Sequence, residues 1–119
     1  MGPVFFDSTT LTANQLVDVI NAADWIYRRL PWPAVLKIGM IHDGAAGGVG
    51  ATIILGSDTQ VGPDMPVSAG GTAGVFPDQS NSFIELLGAA GDLVKIQYRE
   101  LDGVATTDVM TEVRLFPQV

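Results

Sequence analysis

His42 is the only histidine in this chain of 119 residues, and Asp43 follows it directly. A histidine beside a carboxylate can act as a general base. Nucleophilic catalysis also needs a nucleophile, and the sequence has no cysteine and no serine in a G-x-S-x-G elbow. The pair therefore reads as a strand-end histidine next to a turn aspartate. Glycoside hydrolysis would need two carboxylates brought together in space. Glu85, Glu100 and Glu112 are the candidates, but Glu85 and Glu112 fall on outward strand positions, which predicts solvated charge. Asp58, Asp64, Asp78, Asp92, Asp102 and Asp108 sit in or beside turns. None forms the D-x-D-x-D-G pattern of a calcium loop, and turn aspartates are explained by bonding to their own backbone. A single histidine without cysteine gives no zinc ligand set. The glycine-rich stretch Gly44 to Gly50 lacks the Lys-Ser/Thr ending of a phosphate loop and precedes a β-branched run, so it predicts a hairpin loop. No catalytic residue, cofactor or metal is expected.

The residues that stand out instead are suited to contact. Trp25 lies near Arg28 and Arg29, the only adjacent basic pair, and Trp32 follows between two prolines. Tryptophan and arginine are enriched at interaction hot spots. Three roles fit Trp25: partial cover by its neighbours, an inter-subunit contact, or stacking on a base or sugar. Phe5 and Phe6 are adjacent, so in an extended arm one packs inward and the other faces a neighbour. Phe5, Phe6, Trp25, Arg28, Arg29 and Trp32 are the interface candidates, together with the Gly/Pro-rich loop Met65 to Pro77.

These residues need elements to hold them. Thr12 and Gln15 form a capping-box pattern, and Leu11 with Leu16 fits a hydrophobic staple. Leu16, Val19, Ile20, Ala23, Ile26, Tyr27 and Leu30 then recur at helical spacing, until Pro31 and Pro33 end the run. The spacing predicts an amphipathic helix over about residues 13–30, with Trp25 on its polar side. After Pro33 the pattern alternates. Strands are predicted at Val35 to Asp43, Ala51 to Leu55, Ser82 to Leu87, Leu93 to Glu100 and Asp108 to Phe116, with a further short one near Gln60–Val61. Val94, Ile96 and Tyr98 must face a core, as must Val109, Thr111, Val113 and Leu115 on one face of the last strand. Many short strands with frequent turns predict a mainly β fold: an antiparallel β-sandwich or jelly-roll-like barrel with one N-terminal helix. The chain divides into an arm (1–11), the helix with its Pro-rich exit (12–33) and the sandwich (34–119) of a single domain.

Thirteen acidic residues against six basic ones give a net charge of −7. That balance argues against binding phosphate backbones broadly. The start MGPVFFDS has no basic segment or long apolar core, so no secretion signal is read. No run approaches the ~18 apolar residues of a membrane span.

The order of features resembles small virion structural proteins of bacterial viruses, β-sandwich capsid or decoration subunits. The resemblance rests on RRLPWP (Arg28 to Pro33), then VLKIGMIHDGAAGG leading to ATIILGSDTQV, then PDQS (Pro77 to Ser80), AAGDLVKIQYRE (Ala89 to Glu100) and EVRLFP (Glu112 to Pro117). It implies a bacteriophage structural role, a homo-oligomer of three or more copies, contacts with other virion proteins, and assembly in the host cytoplasm. Coat proteins of small RNA bacteriophages have similar length but place the sheet first and helices last. A non-enzymatic virion subunit is the expected function. A carbohydrate- or ligand-binding sandwich module is the first alternative and a small hydrolase the second.

Overall fold

The computed structural model describes residues 2–44, 48–77, 83–103 and 106–118. Residues 45–47 of the predicted loop Gly44 to Gly50, the end of the Pro77–Ser80 motif with Asp78, and Ser82 lie outside them, and Val49 and Gly50 of that loop belong to a strand.

Among the described residues eight strands and one helical turn follow in order: β1 (Val4–Leu11), β2 (Leu16–Asp18), α1 (Val19–Ala22), β3 (Ala34–His42), β4 (Val49–Leu55), β5 (Asp58–Pro66), β6 (Phe83–Gly88), β7 (Val94–Glu100) and β8 (Thr107–Pro117). The fold is mainly β. One antiparallel sheet has the order β1-β8-β3-β6, the other β2-β7-β4-β5. First pairs with eighth, second with seventh, third with sixth and fourth with fifth, so the chain is a nested hairpin folded across two sheets. Turns at 12–15 and 101–103 meet at one end, where Asn14 N–H donates to Glu100 and Asp43 N–H to the Asp108 carbonyl. The segment 23–33 and the turns at 56–57 and 89–93 meet at the other, where Leu30 N–H donates to the Asp92 carbonyl.

Alternation supplies one core between the sheets. Leu36 and Ile38 of β3, Val113 and Leu115 of β8, Ile53 of β4, and Ile96 and Tyr98 of β7 are buried in it. The predicted inward sets of β7 and β8 both face this core. Tyr98 also joins the sheets directly, its hydroxyl 2.6 Å from Thr111 Oγ1. A buried hydroxyl needs such a partner.

The predicted helix over 13–30 is replaced by a short strand, one helical turn and an irregular segment. The capping-box pair does form, with Thr12 N–H donating to Gln15 Oε1 at 2.8 Å, but it closes a turn between β1 and β2 in which Asn14 has φ 60°. Leu16–Asp18 then pairs with Arg99, Tyr98 and Gln97 along the edge of β7. The cap belongs to Asp18, whose carboxylate accepts the Asn21 N–H, and the helix ends before Asp24 at φ 53°. The stretch is rich in β-branched Val17, Val19, Ile20 and Ile26, which lose side-chain freedom in a helix. Strand pairing outweighs the remaining propensity. Breaking the helix changes its phase. Val19 and Ile20 are buried, whereas Ile26 is 79% exposed and Trp25 packs inward.

The predicted arm Pro3 to Asp7 runs, from Val4 on, into a full edge strand that pairs with β8 from Val4 to Leu11. The turn-rich stretch after Ser57 contains the nine-residue β5. Its backbone satisfies that of β4, although register shifts interrupt the ladder.

Candidate assembly surfaces

The outward face of the first sheet carries two rows set by strand register. Phe6, Glu112, Gly39 and Phe83 lie side by side across β1, β8, β3 and β6; Val4, Arg114, Lys37 and Glu85 form the neighbouring row. Gly39 has no side chain, and the Phe83 ring fills its place; a Cβ there would lie 2.7 Å from Phe83 Cζ. On the other side Phe6 packs against Phe76 with ring centroids 5.1 Å apart. Between them Glu112 is only 1% exposed. The expectation of a solvated Glu112 is therefore corrected: its outward position is covered by aromatic neighbours. Its Oε1 accepts from Arg114 Nε, whereas Oε2 has no partner among the described residues. Lys37 sits 3.4 Å from Glu85 and 5.2 Å from the centre of the Phe116 ring.

Phe76 reaches this face because the segment after β5 crosses onto it. Ser68 forms a bridge with Ile41 beyond the end of β6, and His42 N–H donates to the Ser68 carbonyl. Gly71 then lies against Ile41 and Met110, where an added Cβ would be 3.1 Å from each. Thus Met110, on an outward position of β8, is fully buried. Of the contact-candidate stretch Met65 to Pro77, Met65 and Pro66 belong to β5, and the part with Ser68, Gly71 and Phe76 lies against the first sheet while Val75 stays exposed.

A second aromatic group lies where the irregular segment meets β1. Phe5 contacts Trp25 at 5.1 Å, Trp25 contacts Tyr27 at 5.7 Å, and Tyr27 stacks on Trp32 at 6.0 Å. Phe5 is 7% exposed, while Trp25, Tyr27 and Trp32 are half-buried. Of the six residues singled out from the sequence, the fold brings Phe5, Trp25 and Trp32 into one cluster, with Tyr27 as the link. Phe6 is on the separate outward face. Arg28 pairs with Asp24 at 2.6 Å and donates to the Trp25 carbonyl, and Arg29 donates to the Gly91 carbonyl at 2.8 Å. Both arginines thereby tie the segment in place. Phe76 and the Glu112–Arg114 pair were not singled out as contacts, because the loop crossing that assembles them leaves no periodic signal.

The titratable candidates are dispersed. His42 is fully buried; its Nδ1 accepts the Gly44 N–H at 3.1 Å, and Nε2 faces the Val67 backbone without completing a hydrogen bond. Burial holds its pKa below the ordinary histidine value. Asp43 accepts from Asp108 N–H at 2.9 Å, so its carboxylate is engaged with β8. Glu100 lies in the other sheet from Glu85 and Glu112. It accepts N–H groups of Gly103, Asp102 and Asn14 at 2.5, 3.1 and 3.2 Å. These bonds, Gly103 foremost, hold its pKa below the ordinary carboxylate value. Among the described residues, no three His, Asp or Glu side chains converge on a metal-sized site, and no helix is long and apolar enough to cross a membrane. No protein family, curated protein or solved structure matches the chain.

Proposed function

We propose that the chain is a non-enzymatic structural subunit, a bacteriophage capsid or decoration protein that acts by assembling with copies of itself and with other virion proteins. The observation that carries this reading is the nested strand order, 1-8-3-6 over 2-7-4-5. It matches a two-sheet jelly roll, an architecture used by viral capsid domains, lectins and cupins. That support is analogy at the level of fold. The surface supplies an independent reason: Phe6, Val75 and Leu87 are 52%, 58% and 72% exposed. Large apolar side chains left in water favour burial against a partner. Trp25 and Trp32 keep enough exposed ring to join such a contact, with Arg28 and Arg29 beside them.

Light scattering across a concentration series, followed by negative-stain imaging, tests the reading. Discrete oligomers of three or more copies, or particles, are expected. A strict monomer at the highest concentration, without particles, would overturn it. The stacked pair Tyr27–Trp32 favours one second reading, a carbohydrate-binding module, since sugar faces stack on aromatic rings. That reading predicts a monomer whose tryptophan fluorescence shifts on addition of oligosaccharide.

A further inference from the structure

We propose that the free edge of β6 pairs antiparallel with β6 of a second copy, joining two first sheets into one continuous eight-stranded sheet. This rests on the self-association reading above and specifies where it begins. A sheet edge presents unpaired N–H and C=O groups, and monomeric proteins defend such edges. Of the four edge strands among the described residues, three carry a recognisable defence. β2 has only three residues. β5 contains Pro63 and Pro66, two register shifts, and the charges of Asp58 and Asp64. β1 turns the half-buried Asp7 toward the inner side, where Thr9 donates to it. β6 reads Phe-Ile-Glu-Leu-Leu-Gly, with no proline or lysine and an unbroken register against β3. Among the described residues no strand covers its other side.

Charge selects the second copy as the occupant. Two chains of net charge −7 repel one another. The acids that cause this include Asp43, Asp102 and Asp108 at one end of the sheets, where a basic partner would be drawn, whereas Asp24 at the other end is paired with Arg28. The only charge on β6 is Glu85, and Lys37 of the same chain stands 3.4 Å from it. Beside it the face balances again, Glu112 against Arg114. Among the described residues β6 therefore shows a second copy no charge without a counter-charge in its own chain, and the second copy's β6 offers the complementary backbone edge. An isologous contact of this kind closes with twofold symmetry.

The same strand restricts the register. For both outward faces to lie on one side, outward residues must pair with outward residues. Pairing Glu85 with its own equivalent would oppose two like charges, which is unfavourable. A shift of two residues places Leu86 opposite Leu86 of the second copy and Glu85 opposite Leu87, which is 72% exposed in one copy. A six-residue strand spans about 20 Å, so pairing alone falls short of the ~800 Å² per partner typical of a stable interface. The contact is accordingly a weak, concentration-dependent dimer, strengthened within a larger assembly.

The absence of cysteine makes the test direct, because one introduced thiol is the only one present. Leu86→Cys should form a disulfide-linked dimer under mild oxidation at concentrations where the parent associates. Thr59→Cys, on the edge of β5, should remain monomeric on denaturing gels. Leu87→Glu places a second acid opposite Glu85 of the other copy, twice by symmetry, and should weaken dimerisation by about tenfold or more, with unchanged circular dichroism. Parent oligomers that persist undiminished in Leu87→Glu, with no cross-link at residue 86, would overturn the β6 contact and leave self-association standing. A parent that stays monomeric throughout would overturn both.

Discussion

The bond between Tyr98 and Thr111 gives the most direct test of how the two sheets are joined. Tyr98 is completely buried, and its hydroxyl lies 2.6 Å from Thr111 Oγ1, which is also buried. Tyr98→Phe keeps the ring and removes one partner. The net value of such a bond is about 0.5–1.5 kcal/mol, and a stranded buried hydroxyl adds about 1–3 kcal/mol. A loss of about 2 kcal/mol is expected, which is about 8 °C in Tm for a domain of this size. Thr111→Val strands the Tyr98 hydroxyl instead and should cost a similar amount. The double variant strands neither group, so it should cost clearly less than the sum, leaving a coupling energy of about 2 kcal/mol. Urea unfolding of the four proteins measures this cycle. Strictly additive losses would refute the reasoning, because the hydroxyls would then not depend on one another. The same burial pushes the Tyr98 phenol above its ordinary value. Its ultraviolet titration should therefore appear only as the protein unfolds in alkali.

Three further outcomes follow from buried charge. Arg114→Ala leaves the Glu112 carboxylate buried without its cation and should cost about 3–5 kcal/mol; Arg114→Ala/Glu112→Gln should recover part of this in urea unfolding. Glu100 has a lowered folded pKa, so it stabilises the protein above the ordinary value of 4.5, and this contribution is lost as pH falls through the folded value. The acid decline in Tm should be shallower in Glu100→Gln, and an equal decline would exclude the three-bond account. His42 also has a lowered pKa, so its neutral form is favoured by folding. Stability should fall as pH drops below about 6.5, with NMR showing His42 neutral at pH values where an exposed histidine is already charged.

Several elements were legible because a repeating pattern encodes them. Val94, Ile96 and Tyr98 alternate with Lys95 and Gln97, and they are buried as that alternation requires. Val109, Thr111, Val113 and Leu115 behave likewise in β8, but Met110 and Glu112 between them are buried too. Their burial depends on residues distant in sequence, Gly71 and Ile41 over Met110, and Phe6 and Phe83 beside Glu112. No local pattern records such a crossing. Among the contact candidates, Trp25 and Trp32 do share a cluster, but Arg28 and Arg29 hold the backbone of the segment and Phe5 is core. The outward face of the first sheet includes the exposed Leu87, which the sequence showed only as one more apolar residue of a strand.

The sequence by itself determined a mainly β chain with inward-facing runs, turn positions, an acidic surface and no catalytic signature, since these follow from residue type and local spacing. Only the tertiary structure decided the fate of residues 13–30. Their apolar spacing is compatible with a helix, yet the open edge of β7 takes up Leu16–Asp18 and leaves one turn, Val19–Ala22. The competition is between local helix bonds and a distant strand in need of a partner, and only the assembled fold brings that strand within reach. It also decided which edges are defended and which is bare. Backbone hydrogen bonding satisfies both sides of β3, β4, β7 and β8, while among the described residues no strand pairs with the second side of β6.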